Sequence, residues 1–227
     1  MSSLIRKAKR SEAYLKIGVT GPSGSGKTYS ALLLAKGLNN GDLSKVVVID
    51  TENKSADLYS NLGDYSVFPF SAPYGPERYC NAIRMAEAEG FNTIIIDSVS
   101  HEWDGAGGCL EIQTNLGGRY QDWAKVTPMH KRFIDAILQS KCHIITTARK
   151  KTDYALDSVN GKTKVTKMGT KEIQREGFEY ELTLNLDINQ EHHALASKDR
   201  TSLFASNVPF IITEETGQLL RRWNQGE

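Results

Sequence analysis

Several features are scarce in this sequence, and each scarcity removes a class of protein. Only 3 of the 227 residues are cysteine: Cys80, Cys109 and Cys142. An odd, widely spaced set with no C-x-x-C argues against a disulfide framework or a zinc ribbon and suits a reducing compartment. Long apolar runs are missing too. Stretches such as 46–49 and 94–96 are strand-length, far below the roughly 18 to 20 residues of a membrane span. Charge of one sign does not prevail: 28 Lys and Arg face 27 Asp and Glu, a formal net charge of +1. A protein that coats nucleic acid by bulk charge is excluded, so any such contact must come from a local basic patch. Arg6, Lys7, Lys9 and Arg10 give residues 1–13 a basic character, but no apolar stretch follows them. No secretory signal is therefore expected. There is no internal repeat and no low-complexity block. The length suits a single domain over 1–227 with one substantial core, and a cytoplasmic location is expected.

What is present is a regular alternation. Strands are predicted over 15–20, 46–50, 93–97 and 143–148. The run at 46–50 is apolar on consecutive residues, as expected of a parallel strand covered on both faces. Helices are predicted over 27–38 and 77–89, and a third opens at Thr127-Pro128, read as an N-cap followed by proline at the first helical position. Residues 149–176 lack an apolar period and read as a mobile basic loop or hairpin. Paired strands over 181–187 and 192–198 follow, then a short helix capped by Thr213 and ending near Trp223. The order predicts an α/β fold: an open, mostly parallel sheet with helices on both sides.

The strongest motif is Gly21-Pro22-Ser23-Gly24-Ser25-Gly26-Lys27-Thr28, which fits G-x-x-x-x-G-K-[ST] between a strand and a helix. Glycines let successive N–H groups turn toward phosphate oxygens, and the helix N-terminus adds positive partial charge. Lys27 is expected to reach the β- and γ-phosphates of ATP, and the Thr28 hydroxyl to ligate Mg²⁺. Tyr29, next in the chain, is counted with the nucleotide contacts. Asp97 ends an apolar strand, the place from which a carboxylate holds the Mg²⁺ shell. Glu52 lies just past another strand, at the sheet edge where open α/β folds bind ligands. There it can orient and deprotonate an attacking water, with Glu102 as the next candidate. Further on, Lys198 and Arg200 are separated by one residue on an extended segment, so they point the same way while Asp199 faces away.

The pairing of Val48-Ile49-Asp50-Thr51-Glu52 with Ile94-Ile95-Ile96-Asp97-Ser98 resembles the RecA-like P-loop ATPase core, over about residues 14–200. The phosphate loop with the Tyr29-Ser30-Ala31-Leu32 that follows it, and the stretch His101-Glu102-Trp103-Asp104-Gly105, are more narrowly similar to phage-encoded ATPases of this class. Some of those are single-strand-annealing recombination proteins. The resemblance implies ATP hydrolysis with Glu52 as base, a homo-oligomeric ring or filament, and action on single-stranded DNA, in the host cytoplasm if phage-encoded. It implies that Lys198 and Arg200 reach a neighbour's γ-phosphate. It also places the stretch with Arg149, Lys150, Lys151, Lys162, Lys164, Lys167, Lys171 and Arg175 where a second DNA-binding loop lies. Tyr154 is the only aromatic there, so no stacking platform is evident. Residues 105–118, edged by Arg119 and Tyr120, are either a first DNA loop or a plain connection. Thr146, Thr147 and Arg149 either sense the γ-phosphate or cap their strand. Trp103, Trp123 and Trp223 read as packing residues. Three other functions stay open: a nucleic-acid motor, a small-molecule kinase and a nucleotide-dependent switch. The motor needs a DNA-loading domain, and the kinase needs an arginine-bearing lid where this chain has lysines.

Overall fold

A computed structural model describes residues 7–10, 13–159, 162–206 and 208–227, with the backbone alone over 152–159 and 162–169. Its centre is built by the apolar runs. Strands β1 (Lys16–Gly21) and β2 (Val46–Asp50) are buried at every residue. Next come β3 (Ser66–Pro69) and the fully buried β4 (Thr93–Asp97). The other strands are β5 (His143–Val159), β6 (Lys162–Glu172), β7 (Leu184–Ile188), β8 (His193–Asp199) and β9 (Phe210–Ile211). Among the described residues they form one nine-stranded sheet in the order β3-β2-β4-β5-β1-β7-β8-β9, with β6 paired to β5. Pairing is parallel from β3 through β7 and antiparallel across β7, β8, β9 and the β5–β6 ribbon.

Side-chain alternation sorts each apolar run into two layers. Val46, Val48, Ile95 and Ile145 pack with Leu34 and Leu38 of helix α1 (Lys27–Leu38) and Leu220 of α7 (Glu214–Gln225). Val47, Ile49, Ile94, Ile96 and Ile144 pack on the opposite face, with Ile83 of α2 (Pro76–Ala88) and Phe133 of α5 (Trp123–Gln139). A continuous apolar strand is thus two half-cores, each fully buried side chain contributing about 1.5–3 kcal/mol. Helices α1 and α7 meet through glycines: a Cβ on Gly37 would lie 2.1 Å from the Glu214 carbonyl oxygen, and one on Gly217 2.3 Å from that of Leu34.

Two sequence expectations need correction. Helix α5 begins at Trp123 and carries Pro128 inside it, so Thr127 is not its cap. A 3-10 turn over Tyr120–Asp122 leads in, pinned by the Arg119 N–H donating to Asp122 Oδ2 at 2.9 Å. Residues 105–118 are not an open loop: α4 (Cys109–Asn115) occupies them, just after α3 (Ser100–Asp104). Of the two readings of the stretch after Arg149, the hairpin holds: a two-stranded ribbon in register from Lys150↔Glu172 to Val159↔Lys162, with a bulge at Asp153/Tyr154. The contacts expected of the Lys162, Lys164 and Lys167 side chains, the Tyr154 ring and Arg6 lie outside the described residues. A short helix, α6 (Phe178–Glu181), leads from the ribbon to β7. Among the described residues, no helix is long and apolar enough to cross a membrane. The three cysteines are free and buried, and Arg10 lies over the Trp223 ring at 5.1 Å.

Candidate functional site

Register assembles the site. Asp50 pairs with Asp97, Asp97 with Thr147, and Gly21 with Arg149, which brings the ends of β2, β4, β5 and β1 to one edge of the sheet. The loop from Gly21 to Thr28 curls at that edge. Gly24 and Gly26 hold φ of +82° and +88°, a region that strains any residue with a Cβ. A Cβ on Gly21 would fall 2.4 Å from the Ile188 carbonyl oxygen and 2.6 Å from Ser25 Oγ. Ser25 is fully buried, and its hydroxyl has no partner. An orphaned hydroxyl inside a curled loop, at the positive end of a 12-residue helix, is a cradle for an anion such as phosphate.

Charge around the cradle is arranged to match. Lys27 folds back so that Nζ donates to the Pro22 carbonyl at 2.8 Å. Burial pushes its pKa down, while Asp97 and Glu52 pull it back up. Thr28 Oγ1 donates to Asp97 Oδ2 at 2.6 Å, and the Thr147 hydroxyl donates to the other oxygen. Asp97 is 2% exposed; burial raises its pKa against those two hydroxyl bonds. The hydroxyl and carboxylate beside the cradle are the oxygen donors that a hard divalent cation such as Mg²⁺ takes. The residues present fit that ion.

Glu52 is set by its own strand end. Asp50 Oδ1 accepts the Glu52 N–H at 2.7 Å and Oδ2 accepts that of Ala56 at 3.1 Å, turning the chain so that Glu52 faces the edge. Its Oε1 accepts from Ser98 Oγ at 3.0 Å and from Arg149 Nε at 2.9 Å, and Arg149 Nη2 bonds Oε2. Burial alone would raise this carboxyl, but the arginine and the serine outweigh it and hold the pKa below its ordinary value. Glu102 proves to be elsewhere. It is fully buried and accepts from Cys109 Sγ (3.1 Å) and Gln174 Nε2 (3.3 Å), with His130 Nδ1 at 3.1 Å. It ties α3 to α4, α5 and the ribbon's return, so it is not an alternative base.

A cavity of about 860 Å³ opens over the loop, lined among others by Tyr29, Tyr59, Glu52, Arg149 and His192. Sequence reasoning missed His192 and the Glu52–Arg149 pair. His192 sits in the turn before β8 with φ +65° and Nδ1 3.0 Å from the Ser25 carbonyl oxygen. A histidine pair read at the start of a strand carries no signal of the loop that His192 meets. Lys198 and Arg200 do not line this cavity. Both donate to the Tyr180 carbonyl oxygen, Arg200 at 3.3 Å, while Asp199 turns away to accept from Thr201 and Phe204 N–H groups.

The basic stretch divides. Arg149 pairs with Glu52, Lys150 with Asp187 at 2.6 Å, and Lys171 with Glu176 at 3.6 Å, which lowers the free cationic excess read from the sequence. At the base of the ribbon a second cavity of about 960 Å³ joins Lys151, Lys171 and Arg175 to Trp103, Trp123 and Tyr120. The two tryptophan rings stack with centroids 5.4 Å apart, and Tyr120 is 93% exposed. The aromatics absent from the Lys-rich stretch are therefore supplied by α3, the 3-10 turn and α5. Asp104, Glu172 and Glu176 share the wall, so its charge is balanced, and Trp103 and Trp123 stack on each other in agreement with the packing reading.

Among known families, the model AAA_24, described as an AAA domain, matches residues 13–214. No match is found among curated proteins. The family match covers most of the chain and includes the phosphate loop, Glu52, Asp97 and the ribbon. This chain belongs to the AAA domain family, with the mostly parallel α/β sheet of a P-loop ATPase-type domain.

Proposed function

We propose that this chain is a RecA-like ATPase that uses ATP and Mg²⁺, assembles with copies of itself, and acts on single-stranded DNA in phage recombination or annealing. One observation carries the reading: β5 passes from the phosphate-loop cavity at Arg149 to the aromatic, lysine-bearing cleft at Lys151 within two residues. A nucleotide site and a stacking cleft on one strand suit an ATPase whose turnover answers to a polymer. Aromatic faces accept any base, at about 1–3 kcal/mol per stacked base, and ribbon lysines suit phosphate contacts without sequence preference. In hydrolysis, Glu52 takes the proton of the attacking water and Lys27 neutralises charge on the β- and γ-phosphates. When bound, Mg²⁺ offsets phosphate charge; Thr28 and Asp97 would hold it. Lys198 and Arg200, turned away from their own loop, suit a role at a neighbour's γ-phosphate.

The test is ATP turnover with and without single-stranded DNA at two salt concentrations. Stimulation that weakens at higher salt is expected. Turnover indifferent to DNA would return the chain to the kinase or switch reading, and strand separation would favour the motor.

A further inference from the structure

The Arg149–Glu52 pair poses a chemical conflict within the proposed nucleotide site. A carboxylate that is to accept a proton from water needs a free lone pair. Three of the roughly four acceptor positions on Glu52 are taken: Oε1 by Arg149 Nε and Ser98 Oγ, and Oε2 by Arg149 Nη2, and the guanidinium charge leaves the remaining lone pair a weaker base. The same guanidinium lines the cavity with Lys27, Thr28 and Asp97, so it stands beside the place a terminal phosphate would fill. Its backbone is anchored: the Arg149 N–H donates to Ser100 Oγ at 2.8 Å, and its carbonyl accepts from the Ile173 N–H at 2.7 Å. Only the side chain is left to move.

We infer that Arg149 serves two anions in turn: it clamps Glu52 while the site is empty and transfers to the γ-phosphate when a nucleoside triphosphate binds, which releases Glu52. The inference rests on the reading of this cavity as a nucleotide site. A guanidinium grips carboxylate and phosphate with the same two-pronged geometry, so the exchange keeps its hydrogen bonds. The clamp is also weak enough to be displaced. Its side chains are 39% and 21% exposed, and pairs open to solvent hold only modest energy. Asp97 and Asp104 add further negative charge near the guanidinium, but neither hydrogen-bonds to it in the structure. A diphosphate lacks the competing group, so it leaves the clamp closed. On this account Arg149 binds the triphosphate directly and positions Glu52 when it does not.

Equilibrium binding tests this without turnover. ADP and a non-hydrolysable triphosphate, the β,γ-imido analogue of ATP, are titrated with Mg²⁺ into wild type, Glu52→Gln, Arg149→Gln and the double variant. Removing the competing carboxylate should tighten the triphosphate analogue by about fivefold and leave ADP unchanged. Arg149→Gln should weaken the analogue selectively, and in that background Glu52→Gln should bring no gain. If Glu52→Gln shifts both nucleotides equally, or its gain persists without Arg149, the exchange is overturned. Should Arg149→Gln not fold, Arg149→Lys, which keeps the charge but loses the fork, must reduce the gain; an undiminished gain overturns the exchange as well. A wild-type chain that binds neither nucleotide rejects the site itself, whereas one that binds both with an unmoved ratio in Glu52→Gln rejects the exchange alone.

Discussion

The two halves of β5 have opposite surroundings. From His143 to Arg149 the strand lies between β4 and β1, and its in-sheet apolar side chains Ile144, Ile145 and Ala148 are buried. From Lys150 onward it pairs, among the described residues, with β6 alone, leaving an open edge on each strand of the ribbon. A free edge invites pairing with other chains unless charge discourages it, and the ribbon sequence is rich in Lys, Thr and Asp. The inner half is therefore fixed by packing on both sides, whereas the outer half is held by the β6 ladder. Arg149 stands at the junction, joined to Glu52 across the nucleotide cavity.

If the halves are separable, disabling the inner site should leave the outer one working. The largest effect is expected from Lys27→Ala, which should reduce ATP turnover to background while circular dichroism and nucleotide-free DNA binding stay as in wild type. Wild-type turnover in the folded variant would reject the assignment. Next is Lys198→Ala/Arg200→Ala, expected to lose about 10³ to 10⁵ in rate, the range of cations supplied between subunits. Mixing it with Lys27→Ala should restore part of the turnover, since some interfaces then join an intact loop to intact cations. Assembly seen by light scattering without any recovery would count against action across subunits.

Glu52→Gln sharpens the inner half further: nucleotide still binds, and single-turnover hydrolysis should slow by about 10²- to 10⁴-fold. An unchanged rate would place the base elsewhere. For the outer half, Lys162, Lys164 and Lys167 replaced together by Ala should flatten the log–log salt slope of single-stranded DNA binding by roughly 0.7 per lost contact. Turnover without DNA should not change; a drop there would mean that the halves are not separable. The smallest effect concerns His143, at the start of the inner half. Its Nδ1 accepts the Leu15 N–H at 3.0 Å, and burial, aided by nearby Lys16, pushes its pKa down to about 4. Because the folded value lies below that of the unfolded chain, about 6.5, the unfolded chain takes the proton first. Stability should therefore fall as pH drops from about 6.5 to 4, by about 1–3 kcal/mol, measured by urea unfolding. His143→Asn should flatten that dependence, and an equally steep one in the variant would trace it to another group.

Local signals carried much of the fold. The boundaries of α1, β2 and β4 can be read directly, because a strand buried on both faces and a helix behind a glycine loop leave dense patterns over few residues. β3 was not legible: four half-exposed residues at a sheet edge carry no periodicity. Thr127-Pro128 misled because an N-cap motif in sequence is also compatible with a helix already under way, here started by the Arg119–Asp122 turn.

For the site the division is similar. The cradle of Gly21 to Thr28 beside Asp97 could be anticipated from sequence, since a contiguous glycine loop and a carboxylate at a strand end each leave a local pattern. Sequence offered Glu52 as the base, from its place past a strand end, with Glu102 as the next candidate. Only tertiary structure showed Glu102 buried among Cys109, His130 and Gln174, away from the cavity that Glu52 lines. The partners Arg149 and Glu52 are 97 residues apart, and Trp103, Tyr120 and Trp123 reach the lysines of the ribbon only through the packing of α3 and α5. Short-range chemistry is written in neighbouring residues. Long-range juxtaposition is decided by strand order and register, which no local pattern encodes.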